Sequence, residues 1–221
     1  NKQMQHHLRL LTLIISLTIF GCQPEPSQDV QYVQGINKTL FDTEYTKSKD
    51  LSRSKGERLK SVNFAYQVAK TASIDSLTIK ALQQKTKLHS NIKQQDSAII
   101  FSKELLNLSI KAKDSSDIGN AYYKLGLYND RKGLLDSAYI YYNQSKKIYE
   151  SLGDSLKTAK NLLNMAIMSS NAGSYNQSDE IAIEALSFIK NKEEPTLKAS
   201  AYNCLAINAK LQKEYEEALS T

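Results

Sequence analysis

Apolar and small side chains recur along most of this chain at the spacing of a helix face. Ile118, Tyr122, Leu125 and Asn129 follow one another at steps of three and four, which sets them on one side of a helix. Gly133 breaks the pattern, and a turn there with positive φ would stop the helix. Ala138, Tyr142, Ser145 and Ile148 then resume it, predicting a second helix from about Leu135 to Ser151. Asp114 is placed to cap the first of the two, and Asp117 adds negative charge to its first turn. In the next unit the run Ser174 to Gln177 has the spacing of a capping box. Pro195 suits the first turn of a helix.

The hairpin repeats. Ala98, Ala138, Ser178 and Ala218 stand 40 residues apart, as do Asp114, Asp154 and Glu194, while Asp75 precedes Asp114 by 39. Gly133 and Gly173 share the interval, and so do Leu125, Met165 and Leu205, and Gly126, Ala166 and Ala206. Several columns in one register predict stacked supersecondary units that bury a continuous core between neighbours.

Tyr122, Leu125 and Gly126, followed by Gly133, Ala138 and Tyr142, resemble the tetratricopeptide repeat, closely over residues 75–221 and loosely over 39–74. The resemblance implies an all-α fold, an α-α superhelix (a right-handed solenoid) of helical hairpins. A period of 40 also suits HEAT-like repeats, but Leu-Gly and Ala-x3-Tyr occur at the internal spacing of the tetratricopeptide unit. Its usual period is about 34, and the extra residues predict either longer helices or a longer connection around Ser151–Asp154. Gly126, Ala166 and Ala206 would sit where the two helices of a unit cross, with Ala138 and Ala218 serving that contact from the second helix. The resemblance further implies a concave groove lined by first helices. Its positions here are Lys80, Gln83 and Lys87; Asn120, Tyr123, Leu127 and Arg131; Lys160, Leu163, Ile167 and Asn171; then Ser200, Asn203 and Ile207. Long polar side chains around an apolar strip suit an extended peptide or a partner helix.

The start of the chain reads differently. The uncharged apolar run Leu10–Phe20, behind Lys2 and Arg9, is too short to cross a bilayer and suits the core of a signal peptide. Ile19, Phe20, Gly21 and Cys22 resemble a bacterial lipobox, although Phe20 is bulky for its place. That resemblance implies lipidation at Cys22 and a protein lipid-anchored in the bacterial cell envelope, periplasmic or surface-facing. The expected organisation is a signal peptide over residues 1–21, a tether over 22–38, and a helical array over 39–221 whose last repeat is cut within its second helix.

Composition narrows the chemistry. The chain carries 29 basic and 23 acidic residues, a formal charge of +6. Removing residues 1–21 takes away Lys2 and Arg9 and no acid, which leaves +4. The lysines are mixed with acids, so a nucleic-acid partner is not expected. Three prolines, two of them at positions 24 and 26, suit a mainly helical chain. Cys22 and Cys204 make no disulfide framework or zinc cluster, and Cys204 reads as a small core hydrophobe. His89 stands alone behind the signal, at a packing position. No catalytic triad, metal motif or phosphate-binding loop is present, so neither enzymatic activity nor a cofactor is expected. Most of the thirteen tyrosines read as core.

Two functions fit this pattern. The first is a protein-binding scaffold or adaptor. The alternative is the extracytoplasmic sensory part of a larger signalling protein, a histidine kinase or helix-turn-helix regulator.

Overall fold

The computed structural model describes residues 28–219. The expected signal peptide, the lipobox with Cys22 and the start of the tether lie outside the described residues. The chain divides into two units, Asn1–Ile36 and Asn37–Thr221. Only the opening of one helix is described in the first, and the repeat array belongs to the second.

Among the described residues there are nine helices and no strand. They are α1 (Gln28–Lys49), α2 (Lys55–Thr71), α3 (Asp75–Asn91), α4 (Gln95–Ala112), α5 (Ser115–Lys132), α6 (Leu135–Ser151), α7 (Ser155–Asn171), α8 (Tyr175–Ile189) and α9 (Pro195–Leu219). From α2 onward each helix starts half a repeat after the last. The residues beyond the usual tetratricopeptide period therefore go into the helices, which run to 17 or 18 residues through α7. The connections stay short.

One device ends six consecutive helices. Ser73, Lys93, Lys113, Gly133, Gly153 and Gly173 all have positive φ, again at half-repeat intervals. At each, the left-handed residue's N–H reaches back three residues and the next N–H reaches back five. Gly133 N donates to Asp130 O at 2.8 Å, and Leu134 N to Asn129 O at 2.9 Å. This double bond pattern satisfies the orphan carbonyls of a helix end. The expected stop at Gly133 is one instance, with φ +82°.

The starts vary more. Asp114 caps α5 as expected, its side chain accepting from Asp117 N, and Asp154 caps α7 through Lys157 N. Ser174 precedes α8 but its side chain makes no capping bond, so the expected capping box is absent there. A complete one stands at Ser54 and Glu57, ahead of α2. Pro195 opens α9 as expected.

From α2 onward each helix packs against the next, and α3, α5, α7 and α9 act as first helices. The core is built from small-on-large contacts. A Cβ on Gly126 would come within 2.6 Å of the Tyr142 ring, so α5 and α6 cross there only because position 126 lacks a side chain. In the next unit Ala166 and Ala182 hold the corresponding positions, and in the preceding one Thr86 and Ser102; all four are fully buried. Cys204 is buried as expected, its Sγ 3.3 Å from Ser178 Oγ. Ala206, expected at a crossing, is exposed because no second helix packs on α9 among the described residues. For the same reason α9 runs unbroken past position 213, where the half-repeat rhythm would place a turn, and the expected second helix of that unit is not separate.

Candidate peptide-binding groove

First helices touch one another directly along one side of the array, α3 with α5 and α7 with α9. On the other side, second helices are bridged by long side chains, as from Lys146 of α6 to Glu184 of α8. The closer approach makes the first-helix side the inner face. Its floor between α3 and α5 is polar: Gln83 Nε2 donates to Asp117 Oδ1 at 2.7 Å, Lys124 Nζ to Gln83 O at 3.2 Å, and Arg131 Nη1 to Ser90 Oγ at 2.6 Å. Between α5 and α7 the Lys160 ammonium lies 4.9 Å from the centre of the Tyr123 ring. Between α7 and α9, Ser170 Oγ donates to Asn208 Oδ1, and the Asn208 amide donates to Ser178 Oγ and Asp179 Oδ1.

The residues expected in the groove divide. Ile167 is 42% exposed and Ile207 45%; with half-buried Leu127 they form a column at the repeat interval, one apolar side chain per unit. Leu127 packs partly against the core, whereas Ile167 and Ile207 hold large apolar groups in water at a repeating position, where they are available to a partner. Lys80, Lys87, Arg131, Lys160, Asn171 and Asn203 are exposed around the column, and Gln83, Asn120, Tyr123 and Ser200 are half-buried beside it. Leu163 is not on the surface. At 3% exposure it belongs to the core of α7 and α8, because its position turns inward between the helices of its own hairpin.

Lys124 is a groove residue that the resemblance does not point to, since its neighbour Tyr123 holds the matching position. Burial, and then the charges of Lys87 and Lys160, push its ammonium down to about 8. Two acids nearby move the other way: burial raises both Asp117 and Asp130, with Asp114 adding to the first. His89 is structural as expected. Its Nδ1 lies 2.7 Å from Gln94 Oε1, its ring packs on Phe101, and burial lowers its basicity. Among the described residues no helix is long and apolar enough to cross a membrane, and no three His, Cys, Asp or Glu side chains converge as metal ligands.

Of the tyrosines expected in the core, Tyr142 is fully buried, whereas Tyr122 and Tyr175 are half-buried. Tyr202 is 60% exposed, and the Tyr215 side chain lies outside the described residues. Tyr66, Tyr128 and Tyr149 complete the buried set with Tyr45.

These features define an all-α tetratricopeptide-like solenoid. Solved structures agree on the fold. The chain is similar to aspartyl phosphate phosphatase F from Bacillus subtilis, with a TM-score of 0.68 at 12% identity over 88% of this chain and 49% of that one. It is also similar to a signal transduction ATPase with numerous domains from Pyrococcus horikoshii, a protein with a tetratricopeptide repeat sensor (TM-score 0.70, 14% identity, 81% and 28% coverage). A third is a putative kinesin light chain from Podosopora anserina with nearly identical tetratricopeptide-like repeats (0.61, 10%, 86% and 92%). The chain spans about half the length of the first and little more than a quarter of the second. No family model matches the sequence, and no curated protein does.

Proposed function

We propose that this chain is a non-catalytic interaction scaffold that takes a peptide or a partner helix along its inner face. The observation that carries the reading is the column Leu127, Ile167 and Ile207, repeated once per unit and rimmed by long polar side chains. An apolar strip of that period offers a partner regularly spaced anchors, while the rim sets orientation. The test is selection of peptides from a random display library against the whole protein, followed by affinity measurements on Ile167→Glu/Ile207→Glu. Selected peptides should lose at least about tenfold in affinity, the scale of one or two lost apolar anchors; unchanged affinity overturns the reading.

In the same proposal the scaffold is held at a membrane of the bacterial envelope by a lipid on Cys22. The support is the apolar run and the lipobox-like sequence. Two or more acyl chains would make the anchor stable. Cys22→Ser should move the protein from the membrane to the soluble fraction, and a variant that stays in the membrane fraction refutes the anchor. A second reading makes the array the sensory part of a larger signalling protein. It draws on the likeness to the archaeal ATPase whose name gives its repeats a sensor role, and reading the gene beyond Thr221 decides it.

A further inference from the structure

On the outer face, several cations are neutralised. Lys70 meets Glu104 at 3.0 Å and Lys146 meets Glu184 at 3.1 Å, while Lys111 pairs with Asp75 and Lys132 with Asp96 between neighbouring helices. The inner face lacks such partners. Lys80, Lys87, Lys124, Arg131 and Lys160 all rise from first helices, and among the described residues none is within ion-pairing distance of a carboxylate.

Three of these form a line. Lys87 on α3, Lys124 on α5 and Lys160 on α7 are 37 and 36 residues apart, against a repeat of 40. Each cation thus sits about one turn nearer the start of its helix than the one before. Lys87 also stands at the head of the apolar column, one repeat ahead of Leu127. Packing gives no reason for such a line. Lys85 is buried against the rings of Phe101 and Tyr66, at 3.8 and 4.3 Å from their centres, so the fold itself supplies its partner; Lys160 is exposed and has only the Tyr123 ring beside it, at 4.9 Å. Lys124 has three donors and one protein acceptor, the carbonyl of Gln83.

The spacing selects a ligand. Packed helices stand about 10 Å apart, and a peptide extended in the polyproline II conformation covers that distance in about three residues at roughly 3.1 Å each, with every third side chain on the same face. We propose that the inner face binds an extended acidic peptide along this diagonal, with carboxylates at every third residue meeting Lys87, Lys124 and Lys160. The proposal rests on the reading of this face as a peptide groove. A carboxylate arriving at Lys124 would relieve the mutual repulsion of the three cations. A nucleic-acid strand carries a charge on every nucleotide and would match a denser row than one cation per repeat.

The test is fluorescence polarisation with the whole protein and a labelled peptide of four Glu-Ser-Ser triplets. The same peptide with Gln for Glu, and a single-stranded oligothymidylate, serve as comparisons. The Glu peptide should bind at least about tenfold tighter than the Gln peptide, the scale of one charge-assisted hydrogen bond. It should lose at least about tenfold in Lys87→Gln/Lys124→Gln/Lys160→Gln and keep its affinity in the outer-face variant Lys60→Gln/Lys103→Gln/Lys147→Gln. Circular dichroism verifies that both variants are folded. Equal binding of Glu and Gln peptides, equal binding by both variants, or tighter binding of the oligothymidylate overturns the proposal. If display-selected peptides bind through Ile167 and Ile207 while the Glu peptide does not bind, the groove reading stands and this inference falls. If neither binds, both fall.

Discussion

Single atoms decide where two helices of a unit meet. Gly126 lies under the Tyr142 ring, with no room for a methyl group. Gly126→Ala must displace that ring within a filled core, and should destabilise the protein by about 1–3 kcal/mol in urea unfolding. The Tyr142 hydroxyl, buried there without a hydrogen-bond partner, contributes nothing that Phe would lose. Lys124 gives a second prediction at this scale. Its folded pKa of about 8 lies below the ordinary 10.5, so the unfolded chain binds more protons between those values and stability rises with pH across that window. The cost of the charge is complete below about pH 8. Lys124→Met should therefore stabilise the protein at neutral pH, by roughly 1–3 kcal/mol given about 1.4 kcal/mol per unit and partial exposure. Melts repeated at rising pH should show the difference shrinking towards the ordinary lysine pKa; a difference independent of pH would show that the lysine is not desolvated.

At the scale of the element, the helix ends set the rhythm. Lys113 adopts φ 55° and ψ 29° at the end of α4, where a side chain costs roughly 1 kcal/mol relative to glycine. Lys113→Gly should raise the unfolding free energy by up to about 1 kcal/mol, the gain being reduced by the freer unfolded chain; a loss of stability would mean that this turn does not govern the end of α4. The glycine turn at 133 could be read from the sequence, since glycine marks a left-handed residue. Those at Ser73, Lys93 and Lys113 could not, because lysine and serine carry no such signal and take the conformation only when the next helix packs back. Position 213 shows the converse: no following helix packs on α9 among the described residues, and helix propensity carries it straight on.

Across the whole molecule, each helix contacts mainly its immediate neighbours in sequence, so stability accumulates from nearest-neighbour interfaces. The interfaces α5 with α6 and α7 with α8 are the most extensive. Hydrogen exchange should be slowest in α5 to α8 and should quicken towards α9, whose outer side is open. Uniform protection along the array would mean that it unfolds as one block. The inner face belongs to this scale too. A groove exists only once four first helices stand side by side, which is why the repeat pattern places Leu163 on the surface and passes over Lys124. Leu163 is itself an expected groove position and Lys124 stands beside another, Tyr123; a small rotation of the helix exchanges core for surface.

The sequence alone determined what depends on local chemistry and periodicity: helices of the observed faces, the cap at Asp114, the stop at Gly133, and the repeating unit with its small residue at the crossing. Local chemistry suffices there because caps, turns and helical faces are settled within a few residues of chain. Only the tertiary structure decided that the extra residues lengthen helices, that α9 continues unbroken, and that Lys87, Lys124 and Lys160 converge across three repeats. Those outcomes depend on contacts between residues a whole repeat apart, whose geometry is set by how deeply each pair of helices packs.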